Sequence, residues 1–284
     1  MTLTHFSLFT GIGGIDLAAE WAGFEMVGQC EFADYPTKVL EKHWPDVPRW
    51  RDIRNVTAES VRSRGIADVT LLSGGFPCQP FSVAGNQKGK GDDRYLWPEM
   101  CRVIRELKPR WVIGENVPGI LSIAADDVCT DLEREGYEVG IFDYEAAAVG
   151  AKHRRERIFF VGYSKHNGLF TTKIEGIIDS SSYYNTKREN ATGKFEGASE
   201  SRSYEDVPDT YNERLQITGP QSTINAIPKS NRIEFRDWWS IEPSMGRVAN
   251  GIPNRVDRLK CLGNAVVPQQ VYPILQAIAD IERG

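Results

Sequence analysis

The chain has no long apolar run, no CxxC pair, no histidine cluster and no excess of positive charge, and each absence removes a class of function. No segment approaches the roughly 18 apolar residues that a membrane span requires, so no membrane partner is expected. The five cysteines (Cys30, Cys78, Cys101, Cys129 and Cys261) are scattered and odd in number. That pattern argues against a disulfide framework and a zinc site. The four histidines lack ligand spacing, so no metal is expected. Met1-Thr2-Leu3-Thr4-His5 has neither the basic start nor the apolar stretch of a secretory signal, and the expected setting is cytoplasmic. A net charge of -5 is not that of a protein that merely coats nucleic acid. Lysine and arginine nevertheless cluster in Lys152-His153-Arg154-Arg155-Glu156-Arg157 and again at Arg247, Arg255, Arg258 and Lys260. Phosphate binding depends on such local clustering rather than on the total.

What is present is strand-helix alternation over residues 1–163. Phe6–Phe9, Glu25–Glu31, Val69–Leu72, Trp111–Gly114 and Ile158–Val161 read as strands. Ile15–Gly23, Pro36–His43, Trp97–Leu107 and Val128–Glu135 read as helices, the first with Leu17, Ala18, Trp21 and Ala22 as its apolar positions. Apolar strands alternating with helices predict a mainly parallel sheet covered by helices. Near Tyr163 the composition shifts to Ser, Thr, Asn, Tyr and Gly with weak periodicity, and Val271–Ile281 reads as a final amphipathic helix.

Four places carry chemistry. Gly74-Gly75-Phe76-Pro77-Cys78-Gln79-Pro80-Phe81-Ser82 leaves a buried strand through two glycines and holds a thiol between two prolines. Free cysteine is among the most buried residue types, so this thiol has to be read with its neighbours. Phe9-Thr10-Gly11-Ile12-Gly13-Gly14 opens the first helix, where backbone can approach a ligand closely. Asp16 stands where a dinucleotide fingerprint has its third glycine, which disfavours a pyrophosphate and suits a cofactor carrying an ammonium group. Glu31 ends the second strand, as do acids that hold ribose hydroxyls, and Asp52 can accept from an adenine amino group. Together these favour S-adenosylmethionine over NAD. Glu115, at the end of a buried strand, can be pushed towards its neutral form and donate a proton to a heterocycle. Alternation before the last strand predicts Arg155 and Arg157 on one side, holding an anion or a base oxygen.

In chain order, Phe9-Thr10-Gly11-Ile12-Gly13-Gly14, Pro77-Cys78-Gln79, Glu115-Asn116-Val117, Arg155-Glu156-Arg157 and Gly263-Asn264-Ala265-Val266-Val267-Pro268 resemble the motifs of the DNA (cytosine-5) methyltransferase family. The resemblance covers roughly residues 1–163 and 246–284. It implies an S-adenosylmethionine-dependent α/β domain at 1–163, with helices on both faces of a mainly parallel sheet. A small irregular target-recognition domain would follow at 164–245, and 246–284 would return to the catalytic domain. It implies Cys78, Glu115, Arg155 and Arg157 as catalytic residues, with a covalent Cys78 adduct to a flipped-out cytosine. Beside the glycine loop, Glu31 and Asp52, the cofactor would meet Phe32 against its adenine ring, together with Ile53, Gly75, Leu96, Asn264 and Ala265. Gln79, Ser82, Gln87, Lys88 and Lys90 would meet double-stranded DNA, and a restriction endonuclease acting on the same site is a further partner. Two departures stand out: His153 replaces a glutamine common in the family, and Arg247 to Leu262 poorly matches the arginine-rich motif before the last one. Two other readings stay open, a tRNA cytosine-5 methyltransferase and a non-catalytic DNA-binding relative.

Overall fold

The computed structural model describes residues 2–77, 95–165 and 253–284. Within them seven strands form one sheet: β1 Thr4–Leu8, β2 Glu25–Cys30, β3 Arg49–Trp50, β4 Leu71–Gly74, β5 Trp111–Asn116, β6 Tyr137–Tyr144 and β7 Arg157–Ser164. The helices among the described residues are α1 Gly14–Trp21, α2 Asp34–His43, α3 Ala58–Arg62, α4 Trp97–Leu107, α5 Ile120–Ile123, α6 Ala125–Arg134, α7 Arg255–Asn264 and α8 Pro268–Arg283. The strand order is β3-β2-β1-β4-β5-β7-β6. The pairs from β3 through β5 are parallel, and β7 runs antiparallel to both β5 and β6. The fold is α/β with a mainly parallel sheet, as the alternation of elements predicts.

Side chains alternate across a strand, so neighbouring residues feed two different cores. Phe6, Leu72, Val112 and Phe160 pack with Met100, Val103 and Ile104 of α4 and with Val128 and Leu132 of α6. Leu71, Trp111, Ile113 and Phe159 face the other way, towards Ile15, Ala18 and Ala19 of α1 and Val271, Leu275 and Ile278 of α8. Helices therefore cover both faces. The end of α8 is fastened to the sheet by Glu282, which accepts from the Trp111 indole at 2.8 Å and pairs with Arg110 at 2.7 Å.

Three features differ from the expectation. The buried stripe of α1 is Ile15, Ala18, Ala19 and Ala22, whereas Leu17 and Trp21 are 36% and 40% exposed. Close packing of α8 over α1 needs the alanines at the centre and sends the bulky Trp21 to the rim, where its ring lies 6.2 Å from that of Tyr272. β6 and the two-residue β3 have no counterpart in the expected strands, the former because Glu138, Gly140 and Asp143 dilute its apolar period. As an edge strand β6 pairs on one side with β7. Helix α7 was not among the expected helices and buries no residue, its Val256, Leu259 and Leu262 all being exposed. Apart from Ser164 and Lys165, the expected target-recognition domain at 164–245 lies outside the described residues.

Leu275 has no exposed surface at the junction of α8 with the sheet. Leu275→Ala should lower the unfolding free energy by about 2–5 kcal/mol, the usual range for a buried leucine, with an unchanged denaturant slope in urea titrations.

Candidate active site

The parallel strands β1 to β5 all end at the same edge of the sheet, so the segments that follow them converge there. The chain runs from β1 outwards to β2 and β3, then crosses to β4 and β5, which opens a crevice beyond the ends of β1 and β4. A cavity of about 1120 Å³ occupies this edge. Its walls include Phe9 to Ile12, Glu31, Phe32, Asp52, Ile53, Gly75, Pro77, Leu96, Glu115, Asn116 and Arg157, with Asn264 and Ala265 from the end of α7.

The glycine loop is built for close approach. Phe9, Gly11 and Gly13 have φ of +52°, +59° and +85°, the left-handed region that favours glycine. An added Cβ at Gly14 would lie 2.4 Å from the Val266 carbonyl oxygen, so the returning chain can seat there only against a glycine. Nothing lies within 4 Å of where a Gly11 Cβ would project, leaving that face of the loop open. Thr10 pins the loop to β2 by donating its amide and its hydroxyl to the Cys30 carbonyl, both at 3.1 Å. The Glu31 carboxylate accepts from the Gly11 amide at 2.7 Å and the Ala33 amide at 2.8 Å, which fixes its direction at the cavity edge. The Phe32 ring beside it is 76% exposed. Asp52 caps the short turn Ile53–Asn55 by accepting from the Arg54 amide at 2.9 Å. Asp16 is held below the loop: Oδ1 accepts from the Ser7 hydroxyl at 3.0 Å and the Gln29 amide at 2.8 Å, and burial lifts its pKa from 3.8 to about 6.

Glu115 sits opposite, near the end of β5, and is 7% exposed. A Cβ at Gly75 would come within 2.8 Å of its Oε2, so only glycine leaves room for the carboxyl beside β4. Burial raises its pKa from 4.5 to about 7, against the opposing pull of the neighbouring Arg157 and Arg155 guanidiniums. Arg157 Nε donates to Glu115 Oε1 at 2.8 Å. The antiparallel entry of β7 makes this contact possible: with Ile158 opposite Asn116, Arg157 arrives at the carboxyl end of β5.

Asn116 is a positioning residue outside the expected site set. Its side-chain amide donates to the Phe76 carbonyl at 3.0 Å, and the Phe76 ring lies 5.0 Å from that of Trp97. The segment from β4 to Pro77 is thereby fixed on the cavity wall. Cys78, next in sequence, lies outside the described residues, as do Gln79, Ser82, Gln87, Lys88 and Lys90. An amide side chain directly after a buried carboxylate was the available signal for Asn116. Arg155 departs from the expected shared side. Its φ is +39°, and its guanidinium donates to the carbonyls of Gly263 at 2.7 Å and of Ala265 rather than joining Arg157 on Glu115.

The family model described as C-5 cytosine-specific DNA methylase matches residues 3–247 of this chain. The type II methyltransferase M.FnuDI of Fusobacterium nucleatum is 36% identical over 165 residues, covering 56% of this chain and 46% of that protein. M.HhaI of Haemophilus parahaemolyticus is 35% identical over 167 residues, covering 56% of this chain and 48% of its own. The chain thus spans about half the length of these curated relatives. Among solved structures, an E. coli prophage protein described as a DNA modification methyltransferase superposes with a TM-score of 0.52 at 25% identity, covering 61% of this chain and 50% of that one. Spodoptera frugiperda DNMT2 shares the fold, with a TM-score of 0.51 at 19% identity over 60% of this chain and 53% of its own.

The folded pKa of Glu115 lies above its ordinary value, so its contribution favours folding below about pH 4.5 and is lost as pH rises through about 7. Glu115→Gln removes this dependence. The variant's stability relative to wild type should therefore grow by up to about 3 kcal/mol across that window, read from urea titrations at each pH. A difference that stays constant with pH would place the carboxyl in the ordinary range.

Proposed function

The chain belongs to the C-5 cytosine-specific DNA methylase family, and from that premise we propose that it transfers a methyl group from S-adenosylmethionine to carbon 5 of cytosine in duplex DNA. The observation that carries this reading is Glu115, a buried carboxyl held near neutrality against Arg157. It stands in the wall of a cavity that also holds an open glycine loop and an exposed aromatic ring.

The residues present fit this cofactor. Glu31, held by two backbone amides, offers its remaining lone pairs to ribose hydroxyls. The exposed Phe32 would meet a planar base, Asp52 and Ile53 border the same region, and Gly11 leaves room for close backbone approach. Leu96, Asn264 and Ala265 complete the enclosure. When bound, S-adenosylmethionine supplies an electrophilic methyl group on a sulfonium, which carbon 5 of the base accepts.

The chain's own residues make carbon 5 able to accept it. The Cys78 thiolate forms a bond to carbon 6, and the displaced electron pair spreads from carbon 5 towards the ring nitrogen and carbonyl. Glu115 gives its proton to that nitrogen, and Arg157 donates to the carbonyl oxygen, which stabilises the charge that builds there. A pKa near 7 lets one carboxyl hold the proton and then take it back. After methylation, loss of the carbon 5 proton to water reforms the double bond and expels Cys78 as thiolate. A cytosine in a duplex must leave the stack to reach this wall. Lys88 and Lys90 would meet its phosphates, with Gln79, Ser82 and Gln87 beside them. Residues 164–245 would read base edges as a target-recognition domain.

The test is transfer of labelled methyl to unmethylated genomic DNA and, in parallel, to bulk tRNA, followed by sequencing for 5-methylcytosine. The expected result is label in DNA at one short recurring motif; label in tRNA alone would overturn the DNA assignment. Glu115→Gln should lower kcat by about 10²–10⁴-fold, the usual contribution of a general acid. Cys78→Ser should abolish turnover, and full activity in that variant would remove the covalent step.

A further inference from the structure

We propose that Arg155 is a positioning residue that fastens the returning C-terminal segment over the cofactor side of the cavity, and that it does not touch the base. The inference rests on the methyltransferase reading and assigns Arg155 a task different from that of Arg157, two residues away.

Arg155 is held from three directions. Its backbone is in the left-handed region, at φ +39°, which side-chain-bearing residues adopt only where the surroundings impose it. Its guanidinium reaches the end of α7 and donates to the carbonyls of Gly263 at 2.7 Å and of Ala265, with the Leu262 carbonyl further off at 3.4 Å. The last carbonyls of a helix have no partner within it, and a cation there also meets the negative end of the helix dipole. The Arg155 carbonyl in turn accepts at 2.8 Å from the side-chain amide of Gln270, a fully buried residue in the first turn of α8. The preceding residue is tied as well, since the Arg154 carbonyl accepts from the Ala146 amide at 2.6 Å.

Between the two helix ends that Arg155 joins lie Ala265, Val266 and Val267, directly after Asn264 at the end of α7. Asn264, Ala265 and Val266 line the cavity, and the Val266 carbonyl seats against Gly14 of the glycine loop. Losing the guanidinium frees this short wall to move away from the loop. Arg157 and Glu115 keep their contact at 2.8 Å, because β7 is registered to β5 by its own ladder. The tripeptide Arg155-Glu156-Arg157 thus serves two walls. Arg157 belongs to the base side, and Arg155 holds the cofactor side shut.

The test is calorimetric titration of the full chain with S-adenosylhomocysteine, with hydrogen exchange followed at 262–266 and steady-state kinetics run beside it. Arg155→Gln should weaken S-adenosylhomocysteine about tenfold, as expected for loss of charge-assisted hydrogen bonds. It should also raise KM for S-adenosylmethionine while changing kcat at saturation far less, and speed exchange at 262–266. Arg155→Lys should recover only part of the affinity, because an ammonium lacks the planar fork that spans two carbonyls. Wild-type affinity in Arg155→Gln with a collapsed kcat would overturn the proposal and return Arg155 to the base. Should Arg155→Gln not fold, Gln270→Leu loosens the same junction and leaves the guanidinium in place; unchanged S-adenosylhomocysteine affinity there would also overturn it. Absence of binding by the unaltered protein would overturn the methyltransferase reading and this proposal with it. Binding by wild type and variant alike would sink only the proposal.

Discussion

Glu115 is a carboxyl group with almost no water around it, and Arg157 stands 2.8 Å away with its guanidinium turned onto it. Removing a carboxylate from water is costly, and a single cation does not repay the whole of that cost. The group therefore rests near neutrality instead of being firmly ionised. Much of the surrounding architecture serves this arrangement. Gly75 makes room beside β4, Phe76 and Asn116 close the flank, and β7 has to enter antiparallel to bring its first residue to the end of β5. In a wholly parallel sheet the corresponding arginine would arrive at the opposite edge. The antiparallel turn in an otherwise parallel sheet is thus the topological condition for the site.

The wall around the glycine loop obeys a different constraint, close approach of backbone. Gly13 and Gly14 are hemmed in by Trp44 and by the Val266 carbonyl, whereas Gly11 faces open space. The first two let the structure close, and the third leaves room for a ligand. Glu31 links the segments after β1 and β2 through two amide hydrogen bonds, so the acid that faces the cavity also braces the loop. The C-terminal segment completes this wall from far along the chain, and its Gly263 carbonyl and Gln270 amide both bond to Arg155, which ties it to the residues entering β7.

Much of this was legible in the sequence where the local signal and the tertiary demand agree. Helix α4 falls on its expected span, Trp97–Leu107, because its apolar stripe, Pro98 in its first turn and the polar residues beyond Leu107 all give the same answer. The glycine loop, Glu31 and Glu115 were legible because strand ends in an α/β sheet converge, and all of them line one cavity. The misses have equally local causes. Leu17 and Trp21 count among the apolar positions of α1, although close helix packing prefers alanine at the centre. Arg155 was grouped with Arg157 by strand alternation, which fails because the strand begins only at Arg157 and the residues before it have left-handed or irregular backbone. Helix α7 carries no burial pattern, since its role is to end beneath Arg155 and present Asn264 and Ala265 to the cavity.

The central claim is that the Glu115–Arg157 pair receives the reacting base. The most direct measurement is a crystal structure of the protein trapped on a DNA duplex carrying 5-fluorocytosine, whose fluorine cannot leave in the final elimination. The account predicts the base outside the stack and in the cavity, bonded through carbon 6 to the sulfur of Cys78. Its ring nitrogen would lie within hydrogen-bond distance of Glu115 and its carbonyl oxygen against Arg157. A trapped base bonded to a different nucleophile, or one that leaves Glu115 in contact with protein alone, would contradict it.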